Sequence, residues 1–435
     1  MRMSKELTPT AASRGSLSEG ATDSGATLVQ SDKLLSAGLM RRRVDLDCLH
    51  IIICFTVIVA HCLLIFSPQP FYHLKNATLS VAFGMVDEFI RTCTLPLFFL
   101  LSGWSSLVSL RSRGISHFLA ERWRRLLVPL VVGIILFCPP IKYIELLQGR
   151  DLRPSGLQLV APTELSFFEF VPRFFTRVNH STWSHLWFLA YLMLFSLIFL
   201  PLLARLARVG STSRSDPSSA VFAYLPVLPL ALLLVGFHGW WPFYPNLYKD
   251  WVNFSYFGLY FLLGAVMAAY PPFEDCVRRE WLRLGLVGLI AFVGVLFSID
   301  TGLGRLLIAL TAWASSSAAL GLAARFRPVE GRVLKYLREA TLPLYILHHV
   351  LVVVLGWYVI QLPLGIAAKF CLLIPLILLA TIAVYHFLIR RLPVFRFLFG
   401  MRPMVSGTTS ETMLRGMEFE TSEVQATRLD ETIKS

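Results

Sequence analysis

Apolar residues along the 435-residue chain gather into about ten runs, each near the roughly 20 residues a helix needs to cross a bilayer. They fall at 48–66, 89–110, 126–147, 186–204 and 220–237, then at 251–269, 281–299, 305–324, 341–360 and 366–389. An unpaired backbone is costly in lipid, so these runs predict helices and an all-α, polytopic integral membrane protein. The first forty or so residues are rich in Ser, Thr, Gly and Ala, without an apolar segment long enough for a signal-peptide core. The chain beyond about Met404 is polar and mildly acidic. Both ends read as disordered cytoplasmic tails. The organisation expected is a tail over 1–43, a transmembrane domain over 44–400 and a second tail over 401–435.

Composition narrows the class. Hydrophobic residues make up 55% and charged residues only 15%, with a mean hydropathy of +0.64; soluble domains carry about a quarter charged residues. A disordered protein, a disulfide scaffold and most soluble enzymes are thereby excluded. A formal charge of +13 would suggest nucleic acid in a soluble chain. Here the charge has a membrane explanation. With the N-terminus inside, alternate loops hold Arg111, Arg113, Arg122, Arg124 and Arg125; Arg205, Arg208 and Arg214; Arg278 and Arg279; and Arg325, Arg327, Arg332, Lys335 and Arg338. Those loops carry fifteen basic residues against six in the opposite set. The bias places both termini in the cytoplasm, and no nucleic-acid partner is expected. The seven cysteines, Cys48 and Cys62 among them, mostly lie in or beside apolar runs and read as reduced packing residues.

Ionisable groups inside a membrane are costly and therefore candidates for function. His50 and His61 are eleven residues apart in the first run. At about 100° per residue they share one face, separated by about 16 Å. Asp87 and Arg91, four apart, suit an interfacial ion pair. Pro96 should kink the second helix, and the small pair Ser102-Gly103 permits close approach of a helix or a ligand. Arg122 and Arg125 follow just inside, either as orientation charges or as phosphate clamps. On the outer side, Phe167 to Phe175 reads as a segment lying in the interface. Trp240, Trp241, Phe243, Tyr244 and Tyr248 form either an aromatic belt or a stacking platform for sugar or an acyl chain. No metal site is expected.

Several of these pieces occur together in a known order: the first-span histidine, Pro96-x-Phe98-Phe99-x-x-Ser102-Gly103, Arg122-x-x-Arg125 before Pro129, and Pro139-Pro140-Ile141-Lys142-Tyr143-Ile144-Glu145. His185-Leu186-Trp187-Phe188-Leu189, Tyr256-Phe257-x-x-Tyr260-Phe261-x-x-Gly264 and Leu344-Tyr345-Ile346-Leu347-His348 complete the series. In this the chain resembles the acyltransferase 3 membrane family, in its glucan biosynthesis protein C-like branch, from about Val44 to Phe399. The resemblance implies a multi-pass O-acyltransferase of the cell membrane. It would take an acyl group (acetyl, succinyl or similar) from cytoplasmic acyl-CoA and pass it to a hydroxyl of an extracytoplasmic glycan. Acyl-CoA is then a substrate, and no permanently bound cofactor is implied. Acyl transfer to an alcohol needs a base near neutral pKa, which points to His61 as general base or transient acyl acceptor. His348 would orient it or stabilise the oxyanion, with neighbouring His349 turned elsewhere as packing. His50, Ser102, Gly103, Arg122 and Arg125 would contact the acyl donor. His50 stands where relatives commonly carry an arginine or lysine. A glycan or lipid-intermediate transporter, and a non-catalytic family member modulating glycan synthesis, are the alternative readings.

Overall fold

The computed structural model describes residues 43–153, 156–177, 182–208, 219–237, 247, 249–298, 300–326 and 328–403. Residues 1–42 and 404–435 of the expected tails, and the aromatic residues Trp240, Trp241, Phe243, Tyr244 and Tyr248, lie outside them.

Helix α1 (Val44–Phe66) is apolar almost throughout. Helix α2 (Val81–Arg122) begins on a Ser80 side-chain cap and leaves helical geometry inside its length at Gly114, φ 75°, rather than at Pro96. Glycine suits that left-handed conformation because it has no Cβ. The chain reverses there. The Arg122 guanidinium donates to Ser106 Oγ at 3.2 Å, and Glu121 accepts from Ser109 at 3.1 Å and Arg113 at 2.7 Å. In an unbroken helix Ser106 and Arg122 would stand about 24 Å apart. A π-helical turn, Trp123–Leu127, leads into α3 (Val128–Leu147). Strands β1 (Arg150–Arg153) and β2 (Gly156–Leu159) then form an antiparallel hairpin with Arg150 opposite Leu159.

Helix α4 (Phe167–Thr176) carries a Ser166/Glu169 capping box and is strongly two-faced. Phe170 and Phe174 are buried, Phe170 against Tyr143, whereas Phe168 is 85% exposed. A single-turn 3-10 segment, Ser184–Leu186, opens α5 (Trp187–Ile198), which bends by 59° into α6 (Leu200–Arg208). There follow α7 (Val221–Tyr224), α8 (Val227–Gly236), α9 (Trp251–Ala269), α10 (Pro271–Arg279), α11 (Trp281–Ser298) and α12 (Gly302–Phe326). The last elements are α13 (Arg332–Ile360), α14 (Ile366–Ala383) with a π-helical end at Val384–Ile389, and α15 (Pro393–Leu398).

Among the described residues seven helices are long and apolar enough to cross a membrane, eight with the bent pair α5–α6, when Val81–Leu147 is taken as one run. The reversal at Gly114 divides that run in two. The protein is therefore an all-α, multi-pass membrane protein. Large apolar side chains such as Phe297, 87% exposed, cover the outside of α11, as contact with lipid tails requires.

The core of the bundle is the crossing of α2 and α9. A Cβ on Gly103 would lie 1.8 Å from the carbonyl oxygen of Phe261, and one on Gly264 would lie 1.8 Å from that of Leu100. The two backbones touch through paired glycines, the small-residue contact that membrane helices use for close packing. Phe99 stacks on Phe257 beside it, with ring centroids 4.7 Å apart.

Candidate active site

A cavity of about 510 Å³ opens among α1, the α1–α2 loop, α2, the 3-10 turn, α5, α9, α12 and α13. His61 projects into it from α1. Both its ring nitrogens are buried, and neither has a hydrogen-bond partner among the described residues. Its ring stacks on His348 at 5.1 Å and meets His349 edge-on at 4.5 Å. His185 lies 6.5 Å away and Tyr72 5.9 Å. The two sequence-derived catalytic candidates, His61 and His348, thus come together, and His349 joins them rather than turning elsewhere. Adjacent residues on a helix diverge by about 100°; both reach His61 because its ring sits between their directions.

Hydrogen-bond partners fix the tautomers of the neighbours in their neutral forms. The Tyr345 carbonyl can only accept, so the His348 Nδ1–H donates to it at 2.7 Å and Nε2 keeps a lone pair without a partner. His185 donates from Nε2 to the carbonyls of Tyr345 and Ile346, at 3.1 and 3.2 Å, leaving Nδ1 as its lone-pair atom.

A second line of groups runs behind these rings. Buried Lys142 donates to Glu145 at 2.5 Å, Asp151 at 2.6 Å and the Leu152 carbonyl at 3.0 Å. Glu145 also accepts from the Leu152 amide at 2.5 Å and pairs through Oε2 with His73 Nδ1. His73 Nε2 is 3.1 Å from Ser184 Oγ, which is 3.0 Å from His349 Nδ1. Outside the membrane helices, burial pushes the Asp151 carboxyl up, but the hydrogen bond and charge of Lys142, joined by Arg153, bring it below its ordinary value. Sequence reasoning did not assign roles to His73, Glu145 or Ser184. Two charges three residues apart inside the apolar run 126–147 were the available signal for Lys142 and Glu145; nothing local marks the other two.

Part of the cavity lining is polar, formed by Asp87, Glu88, Arg91, Asn253, Asp300 and Arg305. Arg91 pairs with Glu88, three residues before it, and Asp87 Oδ1 is buried with no hydrogen-bond partner among the described residues.

The remaining candidates are elsewhere. Arg122 and Arg125 belong to the Gly114 reversal: Arg122 lies over the Phe118 ring at 4.8 Å, and Arg125 pairs with Glu121 at 3.3 Å. Arg111 donates to the carbonyls of Ala268 and Leu206. Ser102 donates to the Phe98 carbonyl at 2.8 Å, and Gly103 is occupied by the α9 backbone. His50 bonds the Leu46 carbonyl at 2.9 Å and sets its ring 6.1 Å from Phe98, which lines the cavity on its other side. It therefore lies behind the cavity floor, toward the arginines. Among the described residues no group of three or more His, Cys, Asp or Glu is arranged to hold a metal ion.

A buried imidazole with free nitrogens, facing a cavity inside a helical membrane bundle, defines a site suited to acyl or proton transfer. The family model for the acyltransferase 3 family, described as an acyltransferase domain, matches residues 43–386. The chain belongs to that family and is a membrane acyltransferase. It is similar to "Glucans biosynthesis protein C" of Salmonella typhimurium, 23% identical over 379 residues that cover 81% of this chain and 93% of that protein. The proteins of the same name from Salmonella typhi and Escherichia coli are 24% and 22% identical over 371 residues, covering 79% of this chain and 91% of each. No solved structure gives a significant match.

Proposed function

We propose that the protein transfers an acyl group from cytoplasmic acyl-CoA to a hydroxyl of an extracytoplasmic glucan. In this reading it sits in the cytoplasmic membrane with ten passes and both termini inside. The observation that carries it is His61: an imidazole with two unengaged nitrogens on a cavity wall is free to take a hydroxyl proton. His348 supports it from the stacked position, its own free nitrogen available for a second proton. The polar part of the lining and the indole of Trp187 on the cavity wall suit a sugar. The basic reversal at Gly114 suits the phosphates of the donor, with Arg122 and Arg125 as contacts. From Ser106, the partner of Arg122, to Phe98 at the cavity floor is eight residues, or about 12 Å along α2. That span is the first part of what the donor's extended arm has to cover, past His50; His61 stands eleven residues, about 16 Å, further along α1. The names of the relatives favour a glucan as the acceptor.

The test uses purified full-length protein with acetyl-CoA or succinyl-CoA and a glucan oligosaccharide. The expected result is release of free CoA together with an acylated oligosaccharide. Transport of oligosaccharide across proteoliposomes without consumption of acyl-CoA would instead establish a carrier. Replacing both Arg122 and Arg125 by alanine should weaken CoA binding by about 1.5–3 kcal/mol, the range for one hydrogen bond to a charged group. Unchanged affinity would leave these arginines only their part in the reversal.

A further inference from the structure

Ser184 is the one non-glycine residue with positive φ, 47°, among those described. Side chains other than glycine are strained there, and such strain persists where the surroundings over-determine it, commonly at active sites. Here the surroundings are the hydrogen bonds of its hydroxyl. Glu145 accepts from Lys142 and the Leu152 amide and accepts from His73 through its other oxygen, so His73 holds its proton on Nδ1 and offers a lone pair at Nε2. The Ser184 O–H then donates to His73 Nε2 at 3.1 Å, while Oγ accepts from the His349 Nδ1–H at 3.0 Å. Carboxylate, imidazole and hydroxyl stand in the order and at the spacing that activate a serine nucleophile, an arrangement recognised by geometry rather than by chain position. Ser184, His73, His61 and Tyr72 all line the same cavity, and the Tyr72 hydroxyl is buried without a hydrogen-bond partner among the described residues.

We infer that Ser184 carries the acyl group as a serine ester between the donor thioester and the acceptor hydroxyl, with His73 as its base and Glu145 as the group that orients and balances His73. The inference rests on the acyl-transfer reading above. In the first step Oγ adds to the thioester carbonyl and its proton passes to His73 Nε2. The carbon–sulfur bond then breaks, and the departing thiolate takes that proton. Tyr72 supplies a hydrogen bond to the transient oxyanion. In the second step the acceptor hydroxyl adds to the ester carbonyl and gives its proton to His61. The carbon–Oγ bond breaks, and the same proton returns to Oγ. The two histidines then serve different half-reactions, which gives His61 a reason to stand unpaired while His73 is held on both sides.

The experiment incubates the full-length protein with acetyl-CoA or succinyl-CoA and no acceptor, quenches in acid and locates the label by peptide mass spectrometry. One acyl group is expected on Ser184, discharged when glucan oligosaccharide is added. Ser184→Gly accepts the positive φ, so it should fold normally, form no adduct and lose at least about 10³-fold in transfer, the scale for removing a nucleophile. Ser184→Cys should carry the acyl group as a thioester that neutral hydroxylamine removes. Undiminished transfer by Ser184→Gly, or label found on His61 alone, would overturn the serine carrier and leave the acyltransferase reading standing. Failure of the unaltered protein to consume acyl-CoA with the oligosaccharide present would overturn both.

Discussion

His61 makes no hydrogen bond that a substitution would break, which separates its chemistry from its packing. His61→Gln keeps the bulk and a polar end but cannot take a proton at neutral pH. If the ring merely fills space, the change costs little, since polar contacts in membrane bundles average only about 0.6 kcal/mol. As a base its loss should lower transfer by about 10²–10⁴-fold with the amount of folded protein unchanged. Acylation assays on membranes matched for protein decide between these, and full activity would remove His61 from the chemistry. Its spacing from His50 inside an apolar run made His61 legible, and His348 was legible through the motif that carries the family resemblance. Ser184, His73 and His349 were not, because their meaning comes from one another and they arrive from a turn, a loop and a helix.

Lys75, in the loop that carries Tyr72 and His73, has a titration of its own. Its ammonium donates to the Leu64 and Ser67 carbonyls at 2.5 and 2.9 Å. Burial, aided by Arg150 and opposed by Asp87, brings its pKa down to about 7. Between that value and the unfolded lysine value of about 10.4, the unfolded chain holds a proton the folded one lacks, so Lys75 adds stability as pH rises through that window. Melting temperatures in detergent at pH 7 and pH 9.5 should therefore shift in favour of the unaltered protein over Lys75→Met at the higher pH. A difference that stays flat would mean that the ammonium keeps its charge throughout.

At the scale of elements, the helices extend past the apolar runs that announce them. Helix α2 covers Val81–Arg122 where 89–110 is apolar, and α13 covers Arg332–Ile360 where 341–360 is apolar. Polar ends continue a helix into the interface, so hydropathy finds the membrane-facing middle and misses the termini. Two runs that read as single helices are broken at prolines. Pro201 lies at the bend between α5 and α6, and Pro226 separates α7 from α8, each lacking the amide that would continue the hydrogen-bond ladder. The α2–α9 crossing shows what the Ser102-Gly103 pair contributes to the fold. Gly103→Ala forces a methyl into the Phe261 carbonyl, where only backbone movement makes room. Overpacking of this kind costs about 1–3 kcal/mol or more. Detergent-solubilised Gly103→Ala should melt earlier than the parent, and Gly264→Ala should do the same. An unshifted transition in both would mean that the helices separate without penalty.

For the molecule as a whole, charge and hydropathy gave the class and the expected orientation, because both are properties of the bilayer and need no tertiary contact. With fifteen basic residues on one set of loops against six on the other, engineered cysteines in 148–185 should be labelled from outside intact cells. Labelling only after permeabilisation would invert the protein and the direction of transfer. The cavity, by contrast, could not be read from any one run, since eight separate stretches of chain build it. Its polar lining at Asp87 and the Gly114 reversal lie toward opposite ends of α2: from Asp87 to Ser106 is nineteen residues, about 28 Å of helix. In the proposed reaction a group carried from the arginines to His61 passes through most of the membrane's electric field. Each elementary charge moved across 100 mV exchanges about 2.3 kcal/mol with that field. A neutral acyl chain would cross indifferent to voltage, whereas one ending in a carboxylate would be drawn outward whenever the cell interior is negative. In that reaction the separation along α2 would make the membrane potential a driving force for one kind of acyl group and irrelevant to the other.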